Sequence, residues 1–186
     1  MKLEVFICST RPGRVGLPVG AWFEEQARAH GKFEVARVDL AEVNLPMMDE
    51  PKHPRLQQYE HAHTKAWSET VKSADAFVFV TPEYNYGMPA PLLNALDYLL
   101  HEWAYKPAAF VSYGGVSAGT RSVQMAKQVL TTLKIMPIPE AVSVPFGPKY
   151  VVDGVFKPPP EQEKAATVML DELWKWTGAL KTLRPG

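Results

Sequence analysis

The chain has 186 residues, with 20 Lys and Arg against 20 Asp and Glu, so its formal net charge is zero and no broad basic surface exists to hold nucleic acid. This length can bury one sheet-centred core and favours a single domain spanning residues 1–186. The one cysteine excludes an internal disulfide and is typical of a reducing compartment, and no apolar run is long enough for a signal peptide or a membrane span, so we expect a cytoplasmic protein.

Short apolar runs alternate along the chain with longer amphipathic stretches. The predicted strands are 3–8, 33–39, 76–81, 108–113 and 141–144, and the predicted helices are 18–30, 57–73, 91–103, 120–134 and 161–180. The third and fourth strands are apolar without alternation, as in central strands covered on both faces. The pattern predicts an α/β protein with a doubly wound, five-stranded parallel sheet and helices on both faces. In such a sheet the strand-to-helix loops meet at the carboxyl edge, where ligands bind.

The loop after the first predicted strand is rich in anion-binding groups. Its residues are Ser9, Thr10, Arg11, Pro12, Gly13, Arg14, Val15 and Gly16. Hydroxyls, guanidinium groups and the N-terminus of a helix together favour a terminal phosphate. The same composition also allows a polar surface turn whose arginines pair with acids. The loop lacks the leading G-x-G of a Rossmann site, and Asp39 is interpreted as a strand-end cap.

The same loop allows a second interpretation, a cysteine-dependent phosphatase. Cys8 and Arg14 have the C-x5-R spacing of that class, in which Cys8 would be a thiolate nucleophile and Arg14 would bind phosphoryl oxygens. Val15 stands where that class carries Ser or Thr, and the chain contains no Asp-Pro pair to supply its general acid. We therefore interpret Cys8 by default as a small buried residue at the strand end.

Two further loops predict a site for a flat heterocycle. The loop after the third strand combines prolines with aromatic and polar side chains, and the loop after the fourth is glycine-rich, so its backbone can approach a ligand closely. The candidate ligand residues are Pro82, Glu83, Tyr84, Asn85 and Tyr86 in the first loop and Ser112, Tyr113, Gly114, Gly115 and Ser117 in the second. Taken singly, two tyrosines in a loop are more often packing residues than ligand contacts, and a glycine-rich loop can simply be a flexible strand-to-helix turn.

Three segments together give a specific resemblance. These are the strand followed by Ser9-Thr10-Arg11-x-x-Arg14, then Pro82-Glu83-Tyr84-Asn85, then Pro89-x-x-Leu92-x-Asn94-Ala95-x-Asp97-Tyr98. Over residues 3 to 145 the chain resembles the NAD(P)H-dependent FMN reductase family, which includes azo, quinone and chromate reductases. The resemblance implies that the first loop holds the FMN phosphate and that the other two line the isoalloxazine. Cys8 replaces a glycine common in that family, and Leu93 replaces a lysine.

This resemblance implies an oxidoreductase in which FMN carries the redox chemistry, NAD(P)H is the reductant, and a flavin, quinone, azo compound or similar small molecule is the acceptor. It also implies a homodimer or homotetramer, for which Trp67 and the predicted helix 91–103 offer either an interface or core. The alternative is an FMN-binding carrier or sensor that does not react with nicotinamide, although such carriers tend to be acidic and this chain is neutral. The residues show no catalytic triad or metal cluster. His61 and His63 are expected on different faces of a helix.

Overall fold

The computed structural model describes residues 1–184. Its strands are β1 (Lys2–Ile7), β2 (Glu34–Asp39), β3 (Ala76–Pro82), β4 (Lys106–Tyr113), β5 (Ile135–Val144), β6 (Val151–Val152) and β7 (Val155–Phe156). Its α-helices are α1 (Gly16–His30), α2 (Leu40–Val43), α3 (Ala62–Ser73), α4 (Ala90–Asp97), α5 (Thr120–Thr132) and α6 (Pro160–Lys181), and single 3-10 turns lie at Pro54–Leu56, His101–Trp103 and Gly147–Tyr150. None of these helices is both long and apolar enough to cross a membrane.

Strands β1 to β5 form one parallel sheet in the order β2-β1-β3-β4-β5. Every residue of β3 and β4 is buried, because helices cover both faces. On one face, Val5, Val78 and Val111 pack within the core that also contains α1 and α6. On the other, Phe6 and Phe79 stack with ring centroids 5.3 Å apart, in the core that α3, α4 and α5 complete. The predicted doubly wound α/β fold is confirmed, and the strand order is the flavodoxin-like one.

Several element boundaries differ from the predicted ones. The predicted helix 57–73 begins only at Ala62, because Gln57 adopts a left-handed backbone that ends the preceding 3-10 turn. The predicted helix 91–103 ends at Asp97, and its last residues form a separate 3-10 turn. Strand β5 begins at Ile135, six residues before the predicted start, despite prolines at 137 and 139. Those prolines are tolerated because β5 is an edge strand.

A small β-hairpin follows the sheet and was not predicted. Strands β6 and β7 pair antiparallel across Asp153 and Gly154, which both have positive φ, at 51° and 77°. This Asp-Gly turn is a strong hairpin signal that the sequence carries. Phe156 packs edge to face against Trp22 of α1, with ring centroids 5.4 Å apart, so the hairpin adds to the core.

The aromatic residues considered for an interface belong to the core instead. Trp67 and Trp103 are each no more than 2% exposed, and their indole N–H groups donate to the backbone oxygens of Ala95 and Leu96. Leu92 is equally buried. The helix α4 is therefore a packing element, and these residues offer no surface to a second copy.

Candidate functional site

A cleft of about 370 Å³ opens at the carboxyl edge of the sheet, where the loops after β1, β3, β4 and β5 meet. Clefts of this volume hold cofactors and small substrates. The lining residues are Arg11, Val15, Pro82, Glu83, Tyr84, Tyr113, Gly114, Gly115, Phe146, Pro148 and Lys149. The structure thus brings the three loops identified in the sequence together, and it adds a fourth.

The loop after β1 packs tightly against the start of α1. Ser9 is fully buried, and its hydroxyl accepts a hydrogen bond of 3.2 Å from the Tyr113 hydroxyl at the end of β4. A Cβ atom on Gly16 would lie 2.2 Å from Ser9 Oγ, so only glycine fits at the first position of α1. Thr10 and Arg11 are exposed at the loop's outer side. Within residues 1–184, no carboxylate lies within 4 Å of the Arg11 guanidinium, which leaves its charge available to an anion.

Arg14 has a more restricted position than the sequence predicts. Its terminal nitrogen donates to the carboxylate of Asp39 in an ion pair whose side chains are 12% and 2% exposed. Asp39 also accepts from the amide of Ala41 and caps α2, in agreement with its interpretation as a strand-end cap. The buried Nε of Arg14 has no hydrogen-bond acceptor among the described residues. The Nε–H of Arg14 therefore stays unused, but its charge is paired with Asp39 within the protein.

The loop after β3 supplies one wall of the cleft, but not with every predicted residue. Pro82 and Tyr84 line it. Asn85 and Tyr86 have φ of 48° and 68° and form a tight turn in which Tyr84 and Gly87 exchange backbone hydrogen bonds. Asn85 and Tyr86 are not among the residues that line the cleft, and Tyr86 is 72% exposed, so their assignment to the ring stays a prediction.

Glu83 connects two of the loops. Its carboxylate accepts hydrogen bonds from Ser117 Oγ at 3.0 Å and from Arg121 Nε at 2.7 Å. Burial favours a raised pKa for Glu83, but these donors outweigh it, and its pKa lies below the ordinary value. The Arg121 guanidinium also lies 3.7 Å from the centre of the Tyr86 ring. Glu83 and Ser117 therefore act by fastening the loops after β3 and β4 to each other.

The loop after β4 forms the opposite wall. Gly114 and Gly115 line the cleft, and a Cβ on Gly115 would meet no atom within 4 Å, so the space beside it is open. Tyr113 lies between them and the first loop, and burial raises its pKa. Ser112 does not reach the cleft, because it is buried beneath the loop; its hydroxyl has no partner among the described residues.

The fourth contributor, the turn after β5, was missed in the sequence. Phe146, Pro148 and Lys149 line the cleft, and Phe146 has a left-handed backbone, φ 52°. The amides of Phe146 and Gly147 donate to the carbonyl oxygens of Gly115 and Gly114, at 3.0 and 3.3 Å. This turn could have been found by extending to the fifth strand the rule that loops at the carboxyl edge meet.

Cys8, the nucleophile considered in the sequence, does not line the cleft. The Cys8 thiol is fully buried and donates to the backbone oxygen of Phe6 at 3.6 Å. Burial, with the nearby carboxylate of Asp39, raises its pKa far above the ordinary value. A thiolate is therefore disfavoured, and the phosphatase interpretation is wrong. Over residues 1–184 no three His, Cys, Asp or Glu side chains are grouped as a metal site needs.

Two other sequence features have structural roles. His61 precedes α3, and its ring stacks on that of His63 with centroids 5.2 Å apart, so the expectation that they lie on different faces was wrong. The Asn94 side chain donates to the oxygen of Pro46 and accepts from the amide of Met48, which fixes the loop between α2 and α3. The third segment of the resemblance thus supports the fold rather than the cleft.

Comparison with known proteins places this geometry in a family. Residues 1–149 match the family model described as NADPH-dependent FMN reductase. An NAD(P)H-dependent FMN reductase of Schizosaccharomyces pombe is 39% identical over 165 residues, which cover 88% of this chain and 82% of that protein. The NAD(P)H-dependent FMN reductase LOT6 of Saccharomyces cerevisiae is 35% identical over 159 residues, 79% of this chain and 83% of that protein.

Solved structures agree on the fold. The flavoenzyme NAD(P)H:(acceptor) oxidoreductase FerB of Paracoccus denitrificans superposes with a TM-score of 0.74 over 96% of this chain and 97% of its own, at 19% identity. That identity supports the fold alone, whereas the family model and the two yeasts' enzymes cover most of the chain. The chain therefore belongs to the NADPH-dependent FMN reductase family.

Proposed function

We propose that this protein is an FMN-dependent oxidoreductase that passes electrons from NAD(P)H to a small acceptor such as a flavin, a quinone or an azo compound. One observation carries the proposal: the loop that holds Arg11 adjoins a cleft lined partly by aromatic side chains, at the carboxyl edge of β1, β3 and β4. The family match and the names of the relatives support it.

The residues present fit FMN. Its phosphate would be held by Thr10, the unpaired guanidinium of Arg11 and the free Nε of Arg14. Ser9 would act from beneath, because its hydroxyl is fixed by Tyr113. Pro82, Tyr84, Tyr113, Gly114 and Gly115 would line the ring, and Val15 and Gly16 would shape the phosphate end.

When bound, FMN supplies the hydride and electron transfer. The chain's own residues would bind FMN, orient its ring and keep water from part of it. Tyr113 and Pro82 exclude water from one side of the cleft, and the outer side stays open for reductant and acceptor to enter in turn. No proton-transfer residue is required of the protein, in keeping with the buried Cys8 thiol and with Glu83, whose carboxylate is ion-paired with Arg121.

We further propose that the chain acts as one domain, in the cytoplasm, as a homodimer or homotetramer. With Trp67 and Trp103 in the core, self-association would use exposed apolar side chains, of which Tyr86 and Met125 are two. Light scattering of the purified protein tests the assembly.

The visible spectrum of the purified protein, reconstituted with FMN, tests the function. We expect a flavin band that NADPH or NADH bleaches without oxygen and that a quinone or free flavin restores. An FMN-loaded sample that neither nicotinamide bleaches would refute the reductase assignment and would favour an electron carrier. A sample that cannot be loaded with FMN would refute the cofactor assignment itself.

A further inference from the structure

Lys149 is a second cationic residue that lines the cleft, besides Arg11. Lys149 lines the cleft from the turn after β5, which packs against the glycine loop after β4. It is exposed, and over residues 1–184 no carboxylate lies within 4 Å of its ammonium group. The ammonium group makes a cation–π contact with the Phe146 ring, whose centre is 4.7 Å from Nζ.

The backbone holds this lysine in a fixed place. The amide of Lys149 donates to the oxygen of Phe146 at 2.9 Å, and Phe146 and Gly147 donate to the glycine loop after β4. A Cβ on Gly147 would lie 3.0 Å from Tyr113 Cβ, so the turn packs directly on the cleft floor. The rim that carries Lys149 is therefore tied to the wall of the cleft, unlike a free surface loop.

The charge at the cleft is positive on balance. Among its lining residues the one acid is Glu83, whose carboxylate is paired with Arg121, while Arg11 and Lys149 have no carboxylate partner. Arg11 belongs to the loop that would take the FMN phosphate. Lys149 remains for an anion that arrives from solvent at the open side, and in the proposed reaction that anion is a nicotinamide dinucleotide, which carries a pyrophosphate and, in NADPH, a further phosphate.

We propose that Lys149 binds a phosphate of the incoming nicotinamide dinucleotide and so contributes to recognition of the reductant, while making no contact with the phosphate of FMN. This inference rests on the proposed function. The phosphate contacted is either the pyrophosphate common to both dinucleotides or the 2′-phosphate of NADPH, and kinetics with the two reductants distinguishes them.

The test compares Lys149→Met with the matched control Lys157→Met, which removes an exposed lysine outside the cleft. We expect Lys149→Met to raise the KM for NADPH roughly 3- to 10-fold, the effect of losing one exposed charged contact, with kcat nearly unchanged. The same factor with NADH identifies the pyrophosphate, and a rise confined to NADPH identifies the 2′-phosphate. Lys149→Arg should keep the wild-type KM for NADPH. Added salt should raise that KM more in the wild type than in Lys149→Met, which has already lost the charge.

Equilibrium binding of NADP⁺ provides a readout independent of turnover. Titration calorimetry of the FMN-loaded protein should show the same loss of affinity for Lys149→Met, with the Kd for FMN unchanged. The inference would be overturned if Lys149→Met kept the wild-type KM and NADP⁺ affinity, or if Lys157→Met changed them equally. The oxidoreductase proposal would stand in either case. A weakened Kd for FMN would instead assign Lys149 to the cofactor. Absence of NAD(P)H oxidation by the wild type would remove the proposed function first.

Discussion

Arg11 and Arg14 are three residues apart in one loop, but the structure predicts different consequences for their loss. Arg14 and Asp39 form a largely buried ion pair, with side chains 12% and 2% exposed. Removing one partner of such a pair leaves an uncompensated buried charge and costs about 3–5 kcal/mol. Typical domains have an unfolding free energy of about 5–15 kcal/mol, so Arg14→Met should lower the stability of the apoprotein substantially.

Arg11 is exposed and has no carboxylate partner among the described residues, so Arg11→Ala should change the unfolding free energy by less than about 0.5 kcal/mol. Its effect should fall on FMN, whose affinity should drop by about 1.5–3 kcal/mol because a charged hydrogen bond is lost. Urea denaturation of the apoproteins measures stability without ligand linkage, and quenching of FMN fluorescence measures the Kd.

The double variant Arg14→Met with Asp39→Asn provides the control. It removes both charges, and Asn keeps an oxygen to cap α2, so it should be more stable than Arg14→Met alone. Apo Arg14→Met as stable as the wild type would refute the argument that this ion pair supports the fold. Unchanged FMN affinity in Arg11→Ala would refute its assignment to the phosphate.

Three further outcomes follow from local geometry. Gly16→Ala places a Cβ 2.2 Å from Ser9 Oγ, so it should raise the Kd for FMN ~10-fold or more. In Gly115→Ala the added Cβ enters open space, so the melting temperature of the apoprotein should stay unchanged. Burial, aided by a nearby arginine, lowers the pKa of Lys106 from 10.5 to about 8. Between these values the unfolded state binds more protons, so the unfolding free energy should rise with pH from about 8 to 10.5 in the wild type and not in Lys106→Met. Cys8 should react with a thiol reagent in urea but not in the native protein; fast native labelling would contradict its burial.

The fold could be predicted because its strongest signals are local. Uninterrupted apolar runs predicted β3 and β4, and the amphipathic stretch 18–30 predicted α1, which begins two residues earlier, at Gly16. The late start of α3 could not be predicted, because it depends on the left-handed backbone of Gln57. Strand β5 was predicted too short because its two prolines disfavour a strand except at an edge, and edge position is a tertiary property.

The site was predictable at the level of loops but not of every side chain. Arg11, Tyr84 and Gly115 each follow a predicted strand, which placed them at the carboxyl edge of the sheet, and all three line the cleft there. Charge type alone could not show that Arg14 would pair with Asp39 from the neighbouring strand. Nor could it show that Glu83 would be used to join two loops, since each such pairing depends on side chains brought together only by the fold.

The carboxylate of Glu83 links the two long walls of the cleft, and the carbonyls of the glycine loop link the second wall to the turn after β5. These attachments are made within the protein, so departure of a ligand leaves them intact. A binding site that is already shaped loses little conformational entropy when it is filled, and its affinity then depends on direct contacts. Emptying and refilling should consequently be a reversible exchange, with little rearrangement of the chain at each cycle.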